Sequence, residues 1–271
     1  MSNSTPATDY TLTELLICAA STAWIDDGEV LATGIGIVPR LAASLSMLST
    51  NPDLMMTDSE AYMVAEPVPV GKRNGYEPKR DSWMGFSRIF DNVWGKKRHA
   101  FVGPTQIDCF GQANISCIGP HAKPKVQMLG VRGFPGNSIS HQNSFFIPNH
   151  NKKVFVDGEV DMVASIGYNP ERLPKGYSFD DIDIRLIVTN LCVMDFNGPN
   201  KQIRVISLHP GVSIEEVVDN TSFQLSYASD IPTTAAPTVE QLEIINRVDP
   251  NNARAYVIKD NPLGDRRKEQ A

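Results

Sequence analysis

The chain has 271 residues, 41% of them hydrophobic and 21% charged, with a formal net charge of −6. That is an ordinary globular composition, long enough for one sizeable α/β core and short for two. Its basic clusters, Lys96-Lys97-Arg98, Lys152-Lys153 and Arg266-Arg267-Lys268, are too short to form a basic stripe, which argues against nucleic acid as a partner.

Residues 11–22 place Leu12, Leu15, Leu16, Ala19 and Ala20 at helical spacing, with Thr11 or Thr13 as the cap. Residues 29–32 predict a short strand and Gly34-Ile35-Gly36 a turn. A helix over 41–48 follows Pro39, and residues 54–56 form a buried strand. This order is a βαβ unit with a leading helix. Residues 98–102, 126–129, 144–148 and 162–165 predict further strands. Residues 185–189 and 203–208 read as a strand pair joined by the turn Asn197-Gly198-Pro199-Asn200. Ser213 with Glu216 is a capping box opening a short helix to residue 220, and residues 239–248 predict a last helix after the linker 233–237. The expected organisation is a flexible N-terminus over 1–9, one three-layer α/β domain with a mixed sheet over 10–259, and a flexible tail over 260–271.

No stretch reaches the ~18 apolar residues of a membrane span, and residues 1–9 lack the order of a secretory signal. Cys18, Cys109, Cys117 and Cys192 form no C-x-x-C pair, and the five histidines lack ligand spacing, so neither a metal site nor a disulfide framework is expected. These features predict a chain of the reducing cytoplasm.

Three segments invite a functional reading. The first is residues 52–67, PDLMMTDSEAYMVAEP, where a buried strand runs into Asp58, Ser59 and Glu60; α/β enzymes keep their chemistry at such strand ends. The second is the Gly34/Gly36 turn, which either cradles phosphates at a helix N-terminus or is only a tight turn. The third is residues 130–137, with three glycines, which either present backbone N–H groups to an anion or form a surface loop. The aromatic stretch Trp83, Phe86, Phe90 and Trp94 reads as core or subunit interface, with a hydrophobic substrate pocket as the alternative.

Four segments in one order, GIGIVPRLAASL, VGPTQIDCFGQANIS, LGVRGFPGN and LHPGVSIEEVVDNTSFQL, resemble class I coenzyme A transferase beta subunits over nearly the whole chain. The resemblance implies a mixed-sheet α/β fold and a homologous alpha subunit, in a heterodimer or heterotetramer with the active site between the two. It further implies an acyl-CoA substrate, with coenzyme A entering as part of that substrate and no separate cofactor. Carried over residue by residue, Gly130, Gly133 and Phe134 line the site, with the N–H groups of Gly133 and Phe134 facing the thioester oxygen. Gln106 and Asn114 lie near the acyl-CoA, and Gly34 and Gly36 are the candidate phosphate cradle.

In that family a strand-end glutamate attacks the thioester, followed by Ser-Gly or Asn-Gly. Counting inward from Pro52-Asp53 and from Pro67 puts Ser59 at its position, and Glu60-Ala61 follows. Strand alternation turns Asp58 and Glu60 to the face opposite Thr57 and Ser59. Loss of the nucleophile resembles one branch of the family, the two-subunit steroid-ring hydrolases of cholesterol-degrading actinobacteria, which open the last carbon ring of a cyclic β-keto acyl-CoA with water. The base that activates water is then Asp58, Glu60 or a glutamate of the alpha subunit. A transferase using Glu60 and a pocket-shaping subunit without chemistry remain the alternatives.

Overall fold

Thr11 starts the first helix. Its Oγ1 accepts the Glu14 N–H while Glu14 Oε2 accepts the Thr11 N–H at 2.8 Å, a capping box of about 1 kcal/mol. The structure, a computed structural model, describes residues 5–34, 36–58 and 61–269. Contacts divide the chain into two compact units, Met1–Phe101 with Thr234–Ala271, and Val102–Thr233.

In the first unit every residue of helix α1 (Leu12–Ser21) is buried, so it is a core helix with no solvent face. Strand β1 (Leu31–Gly34) leads through the glycine turn into α2 (Ile37–Leu48). The helix begins four residues earlier than its periodicity predicts, because Pro39 lies in the first turn, where its missing N–H is not needed. The chain then returns beside β1: Met55 bridges Leu31 in parallel, with Met55 N–H on Val30 O and Ala32 N–H on Met55 O, both at 2.9 Å. The predicted βαβ unit is present. An antiparallel meander follows, β2 (Met56–Thr57), β3 (Tyr62–Val64) and β4 (Arg80–Trp83), then α3 (Gly85–Trp94) and β5 (Arg98–Val102), which pairs with β1 in parallel.

The second unit holds two short hairpins, β6 (Gln106–Ile107) with β7 (Ala113–Asn114) and β8 (Cys117–Ile118) with β9 (Val126–Gln127). Helix α4 (Phe134–Ser140) precedes a mixed sheet. In it β10 (Gln142–Ile147) pairs in parallel with β11 (Ile184–Thr189), and β11 pairs antiparallel with β12 (Cys192–Asp195). β12 pairs antiparallel with β13 (Arg204–Leu208), and α5 (Ile214–Asp219) leads to β14 (Ser226–Tyr227), parallel to β13. Two expectations need correction. β11 and β13 are not partners, because β12 lies between them; all four β12 residues are buried, so the strand shows no alternation to detect. Residues 162–165 form no strand, only a bridge from Ser165 to Ala113. Phe145, Phe155, Phe196, Tyr168 and Met194 fill the core of this unit, with Phe145 edge-on to Phe196.

The chain re-enters the first unit through α6 (Val239–Val248), capped by Thr238 with Gln241. Gly264 N–H donates to Tyr10 O at 2.9 Å and Leu12 N–H to Pro262 O at 2.8 Å, so part of the expected tail is held against the start of α1. Among the described residues no helix is long and apolar enough to cross a membrane.

Candidate active site

The segment after β2 is built around Asp58. Its N–H donates to Tyr62 O at 3.0 Å, closing the β2–β3 turn, and Ser59 and Glu60 lie outside the described residues. The Asp58 side chain is fully buried, and Arg80 Nε donates to its Oδ2 at 3.0 Å. The Arg80 guanidinium also lies over the Tyr62 ring, 4.7 Å from its centroid. Alternation put Asp58 on the face opposite Thr57, and that face is the buried one. A carboxylate held in an ion pair is a poor proton acceptor, so this geometry suits Asp58 to fixing the turn.

Thr57 pairs with Met63, and Met56 with Val64. Met56 and Val64 are core residues, whereas Met55, Thr57 and Met63 are half-buried on the other face. On that side a cavity of about 680 Å³ is lined by Met55, Met63, Trp83, Met84, Phe86 and Arg88. Trp83 is 69% exposed and Phe86 80%, so of the expected core or subunit-interface placement only the core half is wrong. These rings sit on an amphipathic helix and its approach, and the alternative reading, a hydrophobic pocket, describes their position.

Gly34 and Gly36 have backbone tasks. A Cβ on Gly34 would run into the Pro39 ring, and Gly36, at φ 109°, is the N-cap of α2. No side chain caps this helix. Its first turn borders a second cavity of about 270 Å³ that includes Gly36, Arg40 and Arg73. Arg40 donates to Thr57 O at 3.1 Å and Arg73 to Asp58 O at 2.9 Å, so both guanidinium groups grip the backbone entering residue 59. Burial and the neighbouring Arg73 hold the Arg40 pKa below its ordinary value.

The remaining sequence candidates lie in the second unit. Gln106 and Asn114 face each other across the β6–β7 hairpin, with Asn114 Nδ2 on Gln106 Oε1 at 2.7 Å. Gln106 Nε2 donates to Asp161 Oδ2 at 3.1 Å, and Asn114 Oδ1 accepts the N–H groups of Ser116 and Cys117. Both amides are committed to internal bonds. Gly130 and Gly133 are left-handed at φ 80°, and so is Arg132 between them at φ 54°. The Phe134 N–H donates to Val131 O at 2.9 Å and its ring is buried against Phe145, so it does not present a free N–H as expected. The tight turn needed to enter α4 consumes that donor. The Gly133 N–H has no partner among the described residues and stays available as a single donor.

Sequence reasoning missed Asp108. It is buried, accepts the N–H groups of Phe110 and Gln112 at 3.0 and 2.8 Å, and lines a cavity of about 530 Å³ with Glu159 and Arg172. Burial pushes its pKa up to about 7, against the pull of those backbone donors. Its place inside the glycine-bearing segment 106–114 was the available signal. Among the described residues no three His, Cys, Asp or Glu side chains converge as a metal site.

No family model matches the chain. The cholesterol ring-cleaving hydrolase IpdB subunit of Rhodococcus jostii (strain RHA1) is 38% identical over 248 residues, covering 91% of this chain and 96% of that protein. This chain belongs to the IpdB branch of the coenzyme A transferase family. The crystal structure of Rhodococcus jostii RHA1 IpdAB has a chain that superposes with a TM-score of 0.85 at 37% identity, over 93% of this chain and 99% of that one. The wider family is represented by a 3-oxoadipate CoA-transferase subunit of Pseudomonas knackmussii, 30% identical over 254 residues, 91% of this chain and 96% of that protein.

Proposed function

We propose that this chain is the beta subunit of a two-subunit hydrolase that opens the last steroid ring of a cyclic β-keto acyl-CoA. The observation that carries this is the 38% identity to an IpdB subunit over 91% of the chain. An alpha subunit completes the active site. Water loses a proton to a carboxylate, and the hydroxide adds to the ring ketone carbon. The resulting alkoxide collapses to a carboxylic acid, which then ionises to a carboxylate, as the bond to the carbon next to the thioester breaks. Its electron pair becomes a thioester enolate, and a proton returned to that carbon completes the reaction.

The chain supplies one part of this scheme. The cavity beside Met55, Met63, Trp83 and Phe86 has the size for a ring-bearing acyl group, with these side chains as its apolar wall and Ser82, Arg88, Asp91 and Asn92 as its polar one. Asp58 is already paired with Arg80, so the base is Glu60 or a glutamate of the alpha subunit. The four cysteines are free thiols, which fits a reducing cytoplasm.

A second reading, a transferase using Glu60, is favoured by the 30% identity to a 3-oxoadipate CoA-transferase subunit. The test uses the assembled two-subunit protein with an acyl-CoA, a free carboxylate acceptor and borohydride. Hydrolysis without thioester exchange supports ring opening. A reduced Glu60 and a new acceptor thioester support the transferase.

A further inference from the structure

The cavity at the first turn of α2 carries more positive charge than its surroundings balance. Arg40 and Arg73 both line it, and each spends one hydrogen bond on a backbone carbonyl, Thr57 O and Asp58 O. A guanidinium has more donors than that single bond uses. Among the described residues neither forms an ion pair with a carboxylate. The remaining walls, Val68, Pro69, Val70 and Ile37, are apolar and offer no counter-charge. Two like charges beside one small, largely apolar cavity repel each other, and burial works against Arg40 as well. The α2 N-terminus adds a partial positive charge that no side chain caps. The Asp58 carboxylate works the other way on Arg40 but is itself paired with Arg80, and an anionic oxygen group in the cavity would complement the two guanidinium groups.

We propose that Arg40 and Arg73, in the cavity at the first turn of α2, form a binding site for an anionic oxygen group of the acyl-CoA substrate. The site takes a carboxylate or a phosphate, whose paired oxygens match a guanidinium fork. Position favours a carboxylate on the acyl part, since the pantetheine arm holds the phosphates of coenzyme A away from the reacting carbonyl. Arg40 and Arg73 grip Thr57 and Asp58, the two residues before Ser59. The acyl-CoA identity of the ligand rests on the proposed function; the anion site itself does not.

The experiment measures binding of butyryl-CoA, succinyl-CoA and free coenzyme A to the assembled two-subunit protein, wild type and Arg73→Gln, by titration calorimetry. Butyryl-CoA and succinyl-CoA differ chiefly in the terminal carboxylate. For a carboxylate site the wild type binds succinyl-CoA roughly tenfold more tightly than butyryl-CoA, and Arg73→Gln removes that preference. For a phosphate site all three ligands weaken together by a similar factor in the variant, while inorganic phosphate competes with them in the wild type. Arg40→Lys keeps the charge and part of the affinity, and a thermal melt of each variant checks folding. A general loosening of the turn would weaken all three ligands without phosphate competition, and that result overturns the proposal. So do equal affinities in wild type and variant, or no binding of any of the three to the wild type. If ring opening fails but Arg73 still controls succinyl-CoA binding, the functional reading falls and the anion site stands.

Discussion

The Asp58–Arg80 pair separates a structural carboxylate from a catalytic one, because its two partners are unequally buried. Asp58 is fully buried, whereas the Arg80 side chain is 41% exposed. Arg80→Met removes the guanidinium that donates to the buried Asp58 carboxylate, at a cost of up to about 3 kcal/mol. It also removes the contact with the Tyr62 ring, worth about 0.5–1 kcal/mol. Asp58→Asn leaves behind only a guanidinium that water can reach, and keeps an acceptor for it, so the cost is about 1–2 kcal/mol. The double variant should be more stable than Arg80→Met alone, since no buried charge remains. Urea midpoints of the assembled protein, at unchanged m-values, measure the order. The reasoning fails if Asp58→Asn destabilises more than Arg80→Met. It also fails if Asp58→Asn keeps full stability and abolishes ring opening, for then Asp58 is the base.

Phe86→Ala removes an 80% exposed ring from the cavity wall; stability should move by less than about 0.5 kcal/mol while KM for the acyl-CoA rises roughly fivefold, and an unchanged KM would remove the cavity from the site. Gly167→Ala should cost the second unit about 3 kcal/mol or more, read by thermal melting, because its φ is +53° and a Cβ would meet the backbone of Phe110 and Gly111. His150 stacks on Phe155 between Thr189 and Thr221, and burial lowers its pKa to about 3. The unfolded chain takes up this proton below about pH 6.5 while the native state refuses it. Stability from this group is therefore full above 6.5 and is lost towards pH 3, by about 2 kcal/mol at pH 5. His150→Gln should flatten that part of the stability–pH curve, and an unaltered slope would contradict the assignment.

What the sequence made legible follows from the range of the forces involved. Helices α1 and α6 announce themselves by local spacing and caps, α2 by spacing alone, and β5 falls on its predicted residues. That Asp58 faces away from Thr57 follows from alternation, though which face is buried does not. By contrast, β12 is buried along its whole length, and α4 starts with Phe-Pro-Gly, residues that local propensity assigns to a turn. Helix α3 carries its aromatics outward, against the usual expectation that large rings are core. The arginines around Asp58 come from α2, from the segment before β4 and from β4 itself. Only tertiary folding brings Arg40, Arg73 and Arg80 to one turn, and no local pattern encodes that. The engagement of the Phe134 N–H by Val131 likewise depends on the left-handed residues that set the turn, which residue types alone do not specify.

The central claim is that water, and not a free carboxylic acid, receives the acyl chemistry. The direct measurement is mass spectrometry of the product formed by the assembled two-subunit protein from a cyclic β-keto acyl-CoA in isotopically labelled water. The account predicts a ring-opened acyl-CoA with a single labelled oxygen in its new carboxylate and the thioester intact. An unopened ring, with coenzyme A moved to an added carboxylate acceptor, would contradict it.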